Sequence, residues 1–115
     1  MDKKTILVIE DNEKHRFLME DLLDDEGYRV ETAKDGGEAI KKMEGGGPFD
    51  LLMVDIAVPG FDAVQFIKAH KDKHKILVVS AFVESVKDLL LDHQLIKKPF
   101  DTGILLDRVK EILSS

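Results

Sequence analysis

The sequence predicts an α/β fold, a doubly wound parallel sheet of five strands with helices on both faces. Short apolar runs recur along the chain, each ended by polar or turn residues, and amphipathic helical segments lie between them. A regular alternation of strand and helix gives a parallel sheet, because each helix crosses back over the sheet in the right-handed sense. Three of the runs end on a carboxylate or a hydroxyl, which predicts a polar site at one sheet edge.

The strands' own composition predicts their order. Residues 6–9, 51–54 and 76–79 are apolar throughout, as expected of central strands that are buried on both faces. Residues 28–32 alternate between apolar and polar side chains, and residues 95–96 are short, so both belong at the edges. An order of 2-1-3-4-5 satisfies these requirements. This is the flavodoxin-like order, in which ligands bind at the switch point between strands one and three.

Helical periodicity marks the segments between the strands. Helices are predicted over residues 12–26, 36–44 and 61–70, in a short segment around residues 86–90, and after residue 101. Gly27 ends the first helix, and the run Gly45-Gly46-Gly47-Pro48 ends the second. Asp101 or Thr102 is positioned to cap the last helix.

Length and composition limit the classes of protein that fit. The 115 residues predict one domain spanning 1–115, although Ser114-Ser115 could also begin a linker in a longer protein. With 43% apolar and 35% charged residues the chain is globular, and no apolar run is long enough to cross a membrane. The net charge of −6 argues against a nucleic-acid partner. The polar amino terminus and the lack of cysteine predict a cytoplasmic protein. We expect a monomer or weak dimer.

Acidic residues follow two of the central strands. Glu10 and Asp11 come after the first and Asp55 after the third, so the three carboxylates should meet at the switch point. Such a cluster is tolerated if a divalent cation neutralises it, and oxygen ligands suit magnesium. Asp11 and Asp55 are predicted as direct ligands, with the carbonyl of Ala57 as a third oxygen and Glu10 acting through water.

A carboxylate beside magnesium can act as a nucleophile toward phosphorus, which would make Asp55 the acceptor of a phosphoryl group. The phosphoryl oxygens then need hydrogen-bond donors. Ser80 after the fourth strand offers a hydroxyl, and Lys98 after the fifth strand offers a compact positive charge.

In this combination the chain resembles the receiver domain of response regulators, the single-domain type, in two-component signalling. The resemblance rests on Glu10-Asp11, on Asp55 followed by Pro59-Gly60, on Ser80-Ala81 and on Lys98-Pro99-Phe100. It implies that Asp55 takes a phosphoryl group from a histidine kinase or a small phosphodonor, that Mg²⁺ is required, and that the Lys98–Pro99 peptide bond is cis. It also implies a relay to a downstream protein target or phosphotransfer protein, by conformational change or phosphotransfer. Such a domain assists only its own phosphorylation and dephosphorylation and is not otherwise an enzyme.

Other functions remain open at this point. Receivers usually carry an aromatic switch residue where this chain has Leu95, and the segment 80–98 is several residues shorter than in other receivers. The chain could therefore be a degenerate receiver, a phosphorylation-independent protein-interaction module. A dehalogenase-like phosphatase would need a second Asp at Ala57, and a flavin-binding module would need a hydroxyl-rich loop after the first strand.

Histidines suggest a second site only weakly. His15 on the first helix is expected to face solvent. His70 and His74 flank a lysine-rich turn, a solvated and cation-repelling environment that disfavours a metal.

Overall fold

Five parallel strands form a single sheet in the computed structural model, which describes residues 3–115. The strand order is β2-β1-β3-β4-β5, so the predicted flavodoxin-like order is confirmed. The strands are β1 (Thr5–Ile9), β2 (Arg29–Ala33), β3 (Leu51–Val54), β4 (Ile76–Ser80) and β5 (Leu95–Lys97). The carboxyl ends of β1, β3 and β4 therefore lie side by side.

Four α-helices connect and cover the strands. They are α1 (Glu13–Asp25), α2 (Gly36–Gly46), α3 (Ala63–His70) and α4 (Thr102–Ser114). Each begins after an amide or carboxylate side chain that accepts a hydrogen bond from a backbone N–H of the first turn: Asn12, Asp35, Asp62 and Asp101. The cap predicted for the last helix is thus Asp101. Helix α2 continues through Gly45 and Gly46, two residues beyond the predicted end, and α3 begins at Ala63 rather than at residue 61.

Buried side chains form two apolar layers, one on each face of the sheet. Successive residues of a strand point to opposite faces, so Ile6 and Leu7 of β1 lie in different layers. Helices α1 and α4 cover one layer, and α2 and α3 cover the other. This two-sided burial explains why residues 6–9, 51–54 and 76–79 of the three central strands are all apolar.

The predicted fourth helix around residues 86–90 is wrong. Residues 84–89 form successive turns closed by bonds such as Val86 N–H to Val83 C=O (3.1 Å), and a 3₁₀ turn, Asp92–Gln94, leads into β5. The connection between two parallel strands must run back along the sheet over the length of a strand, roughly 15 Å. As a helix it would need about ten residues for this span, because a helix rises only about 1.5 Å per residue. Residues 81–91 are too few for such a helix and its two connections. Across residues 3–115, no helix combines the length and apolar character needed to cross a bilayer.

Candidate phosphoacceptor and metal site

Three carboxylates meet at the carboxyl edge of the sheet, at the switch point between β1 and β3. Glu10 and Asp11 follow β1, and Asp55 follows β3. One oxygen from each can be chosen such that all three lie within 4.8 Å of one another. Glu10 and Asp55 are buried, and Asp11 is exposed. The structure thus brings together residues that lie far apart in the sequence but at neighbouring strand ends.

The Asp55 carboxylate accepts hydrogen bonds on both oxygens. Oδ1 accepts from the hydroxyl of Ser80 at 2.8 Å and from the backbone N–H of Ala57 at 2.9 Å, and Oδ2 accepts from Lys98 Nζ at 2.9 Å. Burial alone would raise the pKa of Asp55, but the Ala57 N–H, Lys98 and Ser80 together hold that pKa below its ordinary value. Asp55 is therefore ionised at neutral pH even though it is only 8% exposed.

Lys98 bridges two of the carboxylates. Its Nζ lies 2.5 Å from Glu10 Oε1 and 2.9 Å from Asp55 Oδ2. Burial opposes its charge, but hydrogen bonds to Glu10 and Asp55 raise the pKa of Lys98 above its ordinary value, so it remains a cation. Burial raises the pKa of Glu10, and Lys98 opposes that rise.

The end of β5 aims this lysine into the site. The backbone N–H of Lys98 donates to the carbonyl of Ser80 at 2.9 Å, and the Lys98–Pro99 peptide bond is cis. The neighbouring Lys97 is exposed. Of the two adjacent lysines it is therefore Lys98 that reaches the carboxylates.

Arg16 holds the backbone that carries the acidic pair, a contact that the sequence analysis missed. Its Nη1 donates to the carbonyl of Glu10 at 3.0 Å and to that of Asp11 at 3.2 Å. A cation is unfavourable in the first turns of a helix, where the dipole is positive. An arginine near the amino end of α1 therefore indicates, from the sequence alone, that its side chain binds a group outside the helix.

His15 is the second contact that the sequence analysis missed. Its side chain is 50% exposed, but its Nδ1 lies 3.2 Å from Lys98 Nζ and 3.7 Å from Glu10 Oε1. The expectation that His15 simply faces solvent is therefore incomplete. The histidine also borders an apolar groove of about 410 Å³ between α1 and the segment that begins at Lys98.

The donor set at this edge fits a hard divalent cation. The three clustered groups are all carboxylates, and oxygen ligands are those that magnesium prefers in proteins. Two of these carboxylates are buried, and a single ammonium offsets their charge.

Comparison with known proteins shows the family. The model of the response regulator receiver domain matches residues 6–110. The chain belongs to this family. It is 32% identical over 117 residues to the CAI-1 autoinducer sensor kinase/phosphatase CqsS of Vibrio cholerae, covering 93% of this chain and 17% of that protein. It is 28% identical to sporulation initiation phosphotransferase F of Bacillus subtilis, covering 98% and 96% of the two chains.

Solved structures agree on the fold. The response regulator TrrA of Thermotoga maritima, crystallised in complex with Mg²⁺ and BeF, superimposes with a TM-score of 0.78 at 31% identity. That comparison covers 95% of this chain and 98% of TrrA. The chain spans 17% of the sensor kinase CqsS and about half the length of response regulator RR06 and of the transcriptional regulatory proteins PhoP and CpxR, which it also matches.

Proposed function

We propose that this chain is a magnesium-dependent acceptor of a phosphoryl group on Asp55, which a histidine kinase supplies. The environment of the Asp55 carboxylate is the observation that carries the proposal. The side chain is buried and ionised, and a hydroxyl and an ammonium lie within hydrogen-bond distance of it. A buried anion that faces two donors and two further carboxylates is suited to accept an electrophilic group whose charge those donors offset.

Asp11 and Asp55 would hold Mg²⁺ directly, the carbonyl of Ala57 would be a third protein ligand, and Glu10 would act through water. This assignment of Mg²⁺ to the site is supported by the clustered carboxylates and by the negative charge that Lys98 leaves on them. When bound, the cation offsets negative charge on the phosphoryl group during transfer. The likeness to TrrA, which was crystallised with Mg²⁺ and BeF, supports this assignment.

The transfer itself uses this chain's own side chains. A bond forms between a carboxylate oxygen of Asp55 and phosphorus, and the phosphorus–nitrogen bond of the phosphohistidine breaks. The electron pair of that bond stays with the departing imidazole. Lys98 and Ser80, which now donate to Asp55 at 2.9 and 2.8 Å, would donate to phosphoryl oxygens instead.

The phosphorylated chain would act on other proteins rather than turn over small substrates. Ala57 stands where a phosphatase of the dehalogenase-like class needs an acid/base carboxylate, so the chain assists only its own phosphorylation and dephosphorylation. The relatives include a sensor kinase and a phosphotransferase, which supports a kinase as phosphodonor and a protein as recipient. We propose that this receiver domain acts in the cytoplasm as a monomer or weak dimer.

Mass spectrometry of the intact chain tests the proposal. Incubation with acetyl phosphate and Mg²⁺ should add one phosphoryl group to the native chain and none to Asp55→Ala. Chelation of the metal should abolish the addition. Asp62→Ala is the matched control, because Asp62 is an exposed helix cap on the next helix and should not affect the modification. Equal modification of the native chain and Asp55→Ala would refute Asp55 as the acceptor.

A degenerate receiver is the second candidate, and the β4–β5 connection favours it. This connection carries turns in place of a helix, and half-buried Leu95 stands at the position of the usual aromatic switch residue. Such a chain would bind its partner without phosphorylation. The same mass measurement separates the two candidates, since a degenerate receiver stays unmodified at every donor concentration.

A further inference from the structure

We propose that His15 is a positioning residue for Lys98, holding the lysine ammonium at the phosphoacceptor site. The inference rests on the proposed function, since it concerns how the lysine assists phosphorylation of Asp55. Among residues 3–115, the His15 ring makes polar contacts with Lys98 Nζ at 3.2 Å and with Glu10 Oε1 at 3.7 Å, and none with Asp55 or Asp11. It acts through the lysine.

Hydrogen-bond counting carries the proposal. A lysine ammonium has three N–H groups and no acceptor. Within the described chain its three hydrogen-bonding neighbours are Glu10 Oε1 at 2.5 Å, Asp55 Oδ2 at 2.9 Å and His15 Nδ1 at 3.2 Å. Because the ammonium can only donate, this contact is a hydrogen bond only with Nδ1 of His15 as its acceptor and the ring hydrogen on Nε2. All three N–H groups of Lys98 thus have partners.

The backbone of His15 is held by the first turn of α1. The backbone N–H of His15 donates to the Asn12 side chain at 3.0 Å, the bond that caps the helix. The next residue, Arg16, binds the carbonyls of the acidic pair. The ring of His15 therefore projects from a segment that is tied to the same loop as the site.

The contact of Lys98 with His15 would persist during phosphorylation while the other two contacts of the lysine change. A phosphoryl group on Asp55 takes over the donors that now bind its carboxylate, and Glu10 is a predicted partner of the metal. Both of the lysine's anionic acceptors therefore change their contacts during the reaction, whereas His15 does not react. An acceptor outside the reacting carboxylates limits the freedom of the long lysine side chain while those carboxylates change partners. Lys98 is then already aimed when the phosphoryl group arrives.

Two substitutions separate this role from bulk packing. His15→Ala removes the acceptor, whereas the amide oxygen of His15→Asn lies close to the place of Nδ1 and restores it. Lys14→Ala is the control, because Lys14 is the exposed preceding residue. With acetyl phosphate and saturating Mg²⁺, the maximal rate of Asp55 phosphorylation should fall about fivefold in His15→Ala, the loss expected for one hydrogen bond. The rate in His15→Asn should stay within about twofold of native, with half-saturation by donor and metal unchanged.

The ammonium signal of Lys98 gives a readout that needs no phosphorylation. In ¹H–¹⁵N spectra, identified by its loss in Lys98→Arg, this signal should broaden by faster hydrogen exchange in His15→Ala and recover in His15→Asn. The proposal requires both results. A native rate in His15→Ala, an unchanged ammonium signal, or a His15→Asn rate as low as that of His15→Ala would each overturn it. If the native chain takes no phosphate, the proposed function fails while the ammonium spectra still test whether His15 holds Lys98.

Discussion

Lys98→Met is expected to destabilise the metal-free protein, because it leaves two buried carboxylates without their shared cation. The side chains of Glu10 and Asp55 are only 4% and 9% exposed, and the ammonium of Lys98 lies between them. Asp55 keeps two hydrogen-bond donors among the described residues, whereas Glu10 keeps one, at 3.2 Å. Most of the loss in the free energy of unfolding should therefore arise from Glu10.

Proton uptake by Glu10 limits the size of this loss. Removing one partner of a buried ion pair costs about 3–5 kcal/mol. The uncompensated carboxylate can instead bind a proton, which from the ordinary pKa of 4.5 costs about 3.4 kcal/mol at pH 7 and about 1.4 kcal/mol at pH 5.5. We expect a loss of about 2–3 kcal/mol at pH 7, given that Lys98 is itself 14% exposed.

The sign of the pH dependence follows from the pKa of Glu10. Burial already raises that pKa, and removal of Lys98 removes the opposing interaction. The folded variant then binds more protons than the unfolded chain as the pH falls, so its stability relative to native recovers below pH 7. The loss should be smaller at pH 5.5 than at pH 7.

Urea unfolding at both pH values, without and then with Mg²⁺, measures this effect. Lys97→Met is the matched control, because Lys97 is adjacent and exposed, and its free energy of unfolding should stay within about 0.5 kcal/mol of native. Mg²⁺ should narrow the gap between Lys98→Met and native if it binds the carboxylates of the folded state. A loss no larger than that of Lys97→Met, or one that grows at pH 5.5, would refute the reasoning.

Three further substitutions test the metal site, the sheet and the half-buried His70. Asp11→Asn should weaken Mg²⁺ binding by about tenfold in a calorimetric titration, with Asp107→Asn on α4 unchanged, and an unaltered titration would remove Asp11 from the site. Leu7→Ala in the fully buried β1 should lower the free energy of unfolding by about 2–5 kcal/mol, and a cost near zero would contradict a central β1. Burial, then His74 and Lys73, lower the pKa of His70, so the unfolded chain binds more protons and stability is lost as the pH falls below about 6.5. His70→Gln should flatten this dependence between pH 7.5 and 5.5, and a slope equal to that of the native protein would contradict it.

Sheet order and site position could be predicted because both depend on patterns that are local in the sequence. The burial of β1, β3 and β4 on two faces fixes an apolar composition, and the alternation in β2 fixes an edge. The carboxyl ends of parallel strands lie at one edge, so residues 45 positions apart, such as Glu10 and Asp55, could be placed together without knowledge of any side-chain contact.

The structure differs from the sequence predictions where a feature depends on how far apart elements of the fold lie. Apolar spacing around Val86 fits a helix locally, but the crossover that contains it has too few residues to return along β4 as a helix. His70 and His74 were expected in a solvated turn, yet within the described chain their Nδ1 atoms are buried without a hydrogen-bond partner, and His70 packs on Phe66. The contact of His15 with Lys98 spans 83 residues and depends on a side-chain conformation that no periodicity encodes.

Charge balance explains why a divalent cation suits this site better than a monovalent one. Among residues 3–115, the ammonium of Lys98 is the one lysine or arginine cation paired with these three carboxylates, since Arg16 binds backbone carbonyls, and this pairing leaves two negative charges at the carboxyl edge of the sheet. A monovalent ion would leave one charge unbalanced in a region where two of the carboxylates are buried, and such a charge is costly away from water. Mg²⁺ would balance the cluster and leave the Lys98 ammonium available to donate to a phosphoryl oxygen. Lys98 and a bound Mg²⁺ would therefore both offset the negative charge of the carboxylates. Loss of either cation should make the stability of the folded protein depend more strongly on the other.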